Sequence, residues 1–527
     1  MNQKPTSLLG FLHKNLALVI LIGIVVVAAF FRFYQLADLP PGLHPDEAAN
    51  GLDIFRIIDD HDFRVLYNTN GPREALFFYL QAIFVLIFGN SIMALRVAPA
   101  LIGTVAVVVA YLWATDWFGR RAGLIAAFIF AVSPWAITIT RDGFRASMVP
   151  LMIAGTAYLA GKAYKTKKAG YFIGAGAVAG LGLYTYVAFQ LFVGIVILSL
   201  AYLLLLRRSW FTANWKKICL SAAAFFAVLV PMVVFTVKNP GDSFARSGGT
   251  SFMNKSLNGG KPLQTLMDST TKTLLMLHFK GDANYRHNLG GLPMLNVFVG
   301  IMFLLGLFVS LLRIGRIKYF MILAIFGTML LPAALTAESL PHALRAVGAM
   351  PAVFIIAAIG INYFLARWYA TFPVNSVARN IGASLVALLL LLTAFQGYKQ
   401  YFVAWAQDPR THEAYAEDMV RAAYYLNANG LKNNTQGSGN YLVVDGYSVK
   451  TVEYLSHKKA NFTRLDLSDL RNLPISPTGT KLFIVGVNGN TDSALEVLRV
   501  KFPKGRLSPH RSPFSDRILF YSYEVTL

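Results

Sequence analysis

The chain has 527 residues, 55% hydrophobic and only 14% charged, with a formal net charge of +22 and a mean hydropathy of +0.51. Repeated apolar runs, each long enough for a hydrocarbon core of roughly 30 Å, make this a polytopic helical membrane protein and exclude an ordinary soluble fold. Lys and Arg fall largely in short loops between those runs, the positive-inside pattern, which argues against nucleic acid as their partner, and the single cysteine, Cys219, excludes an intramolecular disulfide.

Lys4, His13 and Lys14 precede an apolar stretch over 16–36 that lacks a small-residue cleavage pattern and reads as an uncleaved first helix. Further spans are predicted near 92–115, 121–140, 146–163, 171–187, 189–206, 217–237, 294–312, 319–337, 346–366 and 381–400, about eleven crossings in all. The stretch from Ala75 to Phe88, at about 14 residues and roughly 21 Å of helix, is short for a span and reads as interfacial or re-entrant. With it left out of the count, Arg120/Arg121, Lys165 to Lys168, Arg207/Arg208 with Lys216/Lys217, Arg313 to Lys318 and Arg367 all fall on the cytoplasmic side, as does the N-terminus. The 37–91 loop, the 141–145 turn, the 238–292 loop, the 338–345 turn and the C-terminal tail then face outward.

Composition changes near residue 405. Residues 1–405 read as a transmembrane catalytic domain, and 406–527 as a small extracytoplasmic α/β domain with strands at Tyr441 to Asp445, Lys481 to Gly486 and Ile518 to Val525. Helical patterns run near 411–428 and 491–502, and Asn429-Gly430 and Asn433 to Asn440 are loop signals.

The first outward loop carries His44-Pro45-Asp46-Glu47, then Asp53, Asp59, Asp60 and Asp62, then Asn70-Gly71-Pro72-Arg73-Glu74. Pro45 keeps His44 extended. Adjacent side chains diverge in a helix or a strand, so Asp46 and Glu47 are expected to take different roles, one as a base and the other structural. Both acids also suit the start of a helix from Ala48 to Ile58, where they would meet free N–H groups and the positive end of the helix dipole.

These residues resemble the GT-C glycosyltransferases, and among them the bacterial branch related to protein O-mannosyltransferases and lipid A aminoarabinose transferase. The resemblance covers roughly residues 15–365. It rests on the acidic pair after the first span, on Gly71-Pro72-Arg73-Glu74 opening an apolar helix, and on Ser133-Pro134-Trp135 leading to Arg141 and Gly143-Phe144-Arg145. Tyr184-Thr185-Tyr186, Gly281 to Asn288 and Pro341 to Ala346 continue the series.

The resemblance implies transfer of a sugar from a polyprenyl-phosphate carrier to a hydroxyl of a glycan, lipid or protein, with inversion and on the outer face of the plasma (inner) membrane. It implies Asp46 and Glu47 as the catalytic acids, with Asp46 the base. The chemistry agrees: a partly desolvated carboxylate is a suitable base, and a phosphate leaving group needs cations, for which the planar fork of Arg is well matched. The expected phosphate-binding set is Arg73, Arg141, Arg145, His342 and Arg345, and the expected substrate contacts are Asp282, Arg286, His287, Tyr184 and Tyr186.

Each assignment has a structural counterpart. Arginines near headgroups snorkel to lipid phosphates, Arg141, Asp142 and Arg145 form a self-paired loop on the same evidence of sequence, and interfacial tyrosines commonly serve as belt anchors. His278, Asp282, Arg286 and His287 include metal-capable groups but no tight two-histidine spacing, so no cofactor is indicated and a divalent metal stays an open alternative. A transporter or lipid-linked-sugar handling protein is the alternative reading. It would keep its ionisable groups near the bilayer midplane, whereas these acids lie in loops.

Overall fold

The computed structural model describes residues 15–239, 249–431, 438–474 and 478–527. Lys4, His13, Lys14, residues 240–248 of the predicted 238–292 loop and residues 433–437 of the predicted polar run lie outside the described residues. The chain divides into two compact units, one formed by Met1–Tyr34, Arg64–Phe77 and Pro99–Val403, the other by Gln35–Phe63, Phe78–Ala98 and Ala404–Leu527.

All eleven predicted stretches are helical, and the protein is a multi-pass membrane protein. Seven of the described helices are long and apolar enough to cross a bilayer: Leu16–Phe33, Ile92–Phe118, Val187–Leu206, Arg208–Lys238, Ile317–Ala334, Val347–Thr371 and Ser376–Trp405. Arg120–Val132 and Pro134–Arg141, bent by 59°, make an eighth if taken as one broken span. Ala169–Gly182 and Val297–Leu312 are apolar but shorter, as is Leu76–Phe88, the stretch predicted not to cross.

The break at Ser133 follows from Pro134, which has no N–H for the preceding turn and takes the first position of the next helix. The carbonyls this exposes are met by a charge from another helix: Arg32 donates to Phe130 O (3.3 Å) and Ala131 O (3.1 Å), and to Ala28 O of its own helix (3.1 Å). A fully buried arginine is tolerated there because backbone groups at membrane depth must find partners inside the protein. A second repair lies in Arg208–Lys238, where the Tyr184 hydroxyl donates to Val228 O (2.8 Å) and accepts from Met232 N (3.1 Å), standing between two groups that an uninterrupted helix would join directly.

Val297–Leu312 and Met350–Thr371 cross on small residues. A Cβ at Gly306 would strike Ile356 O, and one at Gly360 would strike Met302 O. With glycine at both positions the backbones come together, the usual device where apolar side chains gain nothing by leaving lipid.

In the second unit, helix Pro45–Asp59 packs along helix Val449–Ser456, with the Tyr454 ring against the backbone of Gly51 and stacked on Phe55 at 5.2 Å. The tail forms one mixed sheet. Strands β1 (Leu66–Tyr67) and β2 (Arg73–Glu74) belong to the first unit; here β3 (Gly439–Val443), β4 (Thr463–Leu465), β5 (Thr480–Gly486), β6 (Arg506–Arg511) and β7 (Ile518–Thr526) are ordered β4-β3-β5-β7-β6. β3 is parallel to β4 and β5, and β7 is antiparallel to β5 and β6. Val443, Leu470, Phe483, Val485, Leu498, Phe502 and Tyr523 fill its core.

Gly360→Leu is expected to lower the thermal midpoint of the detergent-purified protein, since overpacking costs about 1–3 kcal/mol and here the obstacle is backbone. Gly327→Leu, at a position with nothing within 4 Å, is the control expected to leave the midpoint unchanged.

Candidate active site

Helix Pro45–Asp59 starts with a complete set of local signals. Pro45 occupies its first turn, the His44 ring accepts from Asp46 N through Nδ1 (3.1 Å), and Glu47 reaches back to His44 N (3.4 Å). The geometry then separates the two acids. Glu47 is fully buried and pairs with Arg96, whose Nε and Nη2 lie 3.3 Å from Glu47 Oε2 and Oε1. Arg96 also donates to Pro40 O (2.7 Å) and Gly42 O, so it ties the approach to the helix as well as its third residue. Asp46 points elsewhere. Its side chain is one-third exposed, with Oδ2 3.7 Å from His44 Nδ1 and Oδ1 accepting from the Tyr447 hydroxyl at 2.9 Å.

The other predicted site residues belong to the first unit, where all but Arg141 and Tyr184 fall into two groups. The first is built on β1 and β2, which pair antiparallel with Leu66 opposite Glu74 and Tyr67 opposite Arg73. Glu74 Oε2 accepts from Arg145 Nε at 2.6 Å, and the Arg145 guanidinium lies 5.5 Å from the centre of the Tyr186 ring. Arg145 is 8% exposed, and its Nη2 is buried without a hydrogen-bond partner. Arg73 is buried in the same hairpin.

The second group is centred on Asp282. Its Oδ1 accepts from Asn284 N (2.8 Å), while its Oδ2 accepts from His287 Nδ1 (3.0 Å) and from Ala343 N (2.8 Å). Ala343 O accepts in turn from Trp135 Nε1 at 3.3 Å. The Trp135, Asp282 and His342 segments, far apart in sequence, thus converge. His342 stacks on His287 with ring centres 4.9 Å apart, and its Nδ1 is 3.9 Å from Asp282 Oδ2. Arg345 uses Nη2 on Glu338 (2.9 Å) and keeps Nη1 buried without a hydrogen-bond partner. Arg286 bonds to Asn284 Oδ1 through its backbone N at 3.0 Å.

Arg141 and Tyr184 have structural employment. Arg141 donates to Tyr401 Oη (3.1 Å) and Phe31 O (3.0 Å), and its guanidinium lies 5.2 Å from the centres of the Tyr401 and Phe402 rings. The Tyr184 hydroxyl is held between Val228 and Met232 in the helix ladder.

Sequence reasoning missed Arg96, Glu338, Tyr447 and the pairing of Glu74 with Arg145. Arg96 had a signal, being a charge inside an apolar run. Asp282 and His287 stood out in the sequence as metal-capable, and the structure adds His342 to them. Ligand atoms of Asp282, His287 and His342 lie within 4.8 Å of one another, and a carboxylate with two neutral imidazoles is a donor set for a divalent cation. The buried His342 Nδ1 without a hydrogen-bond partner fits that use.

Burial holds both imidazoles below their ordinary range. At His287 the hydrogen bond donated to Asp282 opposes this, whereas at His342 the neighbouring His287 and Arg345 reinforce it. Within the first unit, a cavity of about 390 Å³ is lined mainly by apolar groups, among them Ile129, Pro134, Leu295, Ile301, Leu304 and Phe354.

Glu47→Ala is expected to destabilise the fold by roughly 3–5 kcal/mol, because it leaves Arg96 buried without its carboxylate. The measurement is the recovery of folded, monodisperse protein, which Asp46→Asn should leave near wild type. Stability should also depend on pH in a set direction. Below about pH 6.5 the unfolded chain takes up protons that the buried His287 and His342 resist, so the thermal midpoint should hold above that pH and fall as the pH is lowered beneath it. His342→Gln should make that fall shallower in a pH series of thermal melts.

Residues 73–235 match the family model of dolichyl-phosphate-mannose-protein mannosyltransferase. No curated protein matches the chain. Among solved structures, ArnT from Cupriavidus metallidurans bound to undecaprenyl phosphate is similar over 97% of this chain and 98% of its own, with a TM-score of 0.56 and 12% identity. The archaeal oligosaccharyltransferase AglB from Archaeoglobus fulgidus, in complex with an inhibitory peptide and a dolichol-phosphate, is similar over 85% of this chain and 65% of its own, with a TM-score of 0.53 and 13% identity. The Archaeoglobus fulgidus oligosaccharyltransferase in complex with Zn and sulfate gives 95%, 72%, 0.54 and 12% for the same measures. The fold shared with these enzymes over most of the chain, together with the family match over residues 73–235, gives this protein the GT-C fold of membrane glycosyltransferases.

Proposed function

We propose that the protein is an inverting glycosyltransferase that moves a sugar from a polyprenyl-phosphate carrier to an acceptor hydroxyl on the extracytoplasmic face of the inner membrane, with the N-terminus cytoplasmic. The observation that carries this reading is the separation of two adjacent acids at the start of one helix. Glu47 is buried against Arg96 and holds the helix, while Asp46 keeps a partly exposed carboxylate able to take a proton.

In the proposed displacement the acceptor oxygen bonds to the anomeric carbon as its proton passes to Asp46, and the bond from that carbon to the phosphate oxygen breaks. Polyprenyl phosphate leaves with the added negative charge, and Asp46 later gives its proton to water. Arg73, Arg145 and Arg345 serve the leaving phosphate, and the unmatched N–H groups of the last two suit that role because charge-assisted donors aimed at developing charge are worth most in a dry site. Asp282, Arg286, His287 and His342 shape the loops that present Arg345, and Tyr186 stacks beneath Arg145. The apolar cavity beside Leu304 and Phe354 suits a prenyl chain, and the match to a structure of ArnT bound to undecaprenyl phosphate supports a carrier of that class. A divalent cation held by Asp282, His287 and His342 would add positive charge beside Arg345 and bind two loops together.

The test is transfer from a panel of polyprenyl-phosphate-linked hexoses and pentoses by the detergent-purified protein, with binding of undecaprenyl phosphate measured alongside. Asp46→Asn should lower turnover at least 100-fold and leave that binding within about twofold. Arg345→Ala should weaken both. Near-normal turnover by Asp46→Asn would remove it as the base, and a parallel series with chelator reads the contribution of any bound cation.

A further inference from the structure

The C-terminal region places a side chain on the acid assigned above as the base. Tyr447 lies 401 positions further along the chain, and its hydroxyl donates to Asp46 Oδ1 at 2.9 Å. The turn carrying it is built rather than loose. Asp445 Oδ1 accepts from Tyr447 N and Ser448 N, each at 2.8 Å, and Asp445 Oδ2 accepts from the Ser448 hydroxyl at 2.7 Å. The Tyr447 ring meets the His44 ring edge-on, with centres 6.0 Å apart.

The helix that follows, Val449–Ser456, is fastened along the whole base helix. Thr451 Oγ1 donates to Leu43 O at 3.0 Å, the Tyr454 ring occupies the space left by the absent side chain of Gly51, and His457 and Lys458 reach Asp59 at 3.0 and 2.6 Å. A tail anchored at the start, middle and end of that helix has no packing need for one more polar contact with a carboxylate that is one-third exposed.

We propose that Tyr447 is a positioning residue for the transfer reaction: its hydroxyl fixes the Asp46 carboxylate in the rotamer from which it takes the acceptor's proton, so that the C-terminal region forms part of the base. The inference rests on the assignment of Asp46 as that base. A carboxylate on a two-bond side chain samples several rotamers, and a donor held at one oxygen selects among them and favours the ionised form. His44, on the same helix start, accepts from Asp46 N through Nδ1 and so carries its proton on Nε2 when neutral, and Lys450 lies 5.5 Å from the centre of the Tyr447 ring. Asp445, which accepts from Tyr447 N, is the carboxylate nearest the phenol along the chain.

The experiment uses the full-length protein and the donor that turns over in the panel above. Tyr447→Phe is expected to lower kcat about tenfold, to leave undecaprenyl phosphate binding and the thermal midpoint unchanged, and to move the acid limb of the pH–rate profile to higher pH, since the ionised base has lost a donor. Tyr447→His, which keeps a ring N–H, should recover part of the loss. Wild-type kcat and pH profile in Tyr447→Phe overturn the inference, and so does a rise in turnover or in donor hydrolysis, which would make the phenol an obstruction. If Asp46→Asn is inactive while Tyr447→Phe behaves as wild type, the positioning role alone fails. If Asp46→Asn is active, the assignment of the base fails and this role with it.

Discussion

The carboxylate of Asp282 is the joint on which the first unit's candidate site depends. Three N–H groups converge on its two oxygens, one from its own loop, one from His287 and one from the backbone of Ala343, and the carbonyl of Ala343 takes the indole of Trp135. The bonds from His287, Ala343 and Trp135 are buried, where an unmatched polar group costs about 1–3 kcal/mol, so the three segments hold one another or none is held. Arg345 follows directly after this joint, and the stacked His287 and His342 rings rest beside it. The loop proposed to meet the carrier phosphate is thereby mounted on a buried polar core rather than on loose chain.

The same rule governs the charges buried elsewhere. Arg32 meets the carbonyls released by the break at Pro134, Arg141 is sheathed by Tyr401 and Phe402, and Arg96 is matched by Glu47 and by carbonyls of the segment before it. Glu47 and Asp46 show what this does to chemistry. Residues next to each other on a helix leave it in different directions, so one acid is taken into the interior and neutralised while its neighbour's side chain stays one-third exposed.

Apolar periodicity and run length made the membrane architecture legible, down to the short helix Leu76–Phe88, because hydrocarbon imposes its length on any chain that crosses it. The acidic pair and the arginines of the loops predicted to face outward stood out as candidates. Their partners were not. The i, i+5 contact of Asp282 with His287 is local, but His342 enters from another loop, and nothing in the pattern around Tyr447 points to Asp46. The tail was half readable. β5 and β7 are buried apolar strands, whereas β4 has three residues and β6, Arg506–Arg511, is an edge strand with Pro509 inside it and no apolar alternation. The bend at Ser133 was missed because an apolar run reads as continuous until the missing N–H of Pro134 is taken into account.

Helix Arg208–Lys238 carries a consequence for the lipid around it. At 31 residues it is about 46 Å long, well beyond the hydrocarbon core, and little of its apolar surface is covered by protein. Such a rod must lean or stand proud of the bilayer. Pro231 removes one donor from its ladder and the Tyr184 phenol meets Val228 O and Met232 N beside it, so the place where this rod can bend lies next to a side chain that partners its backbone.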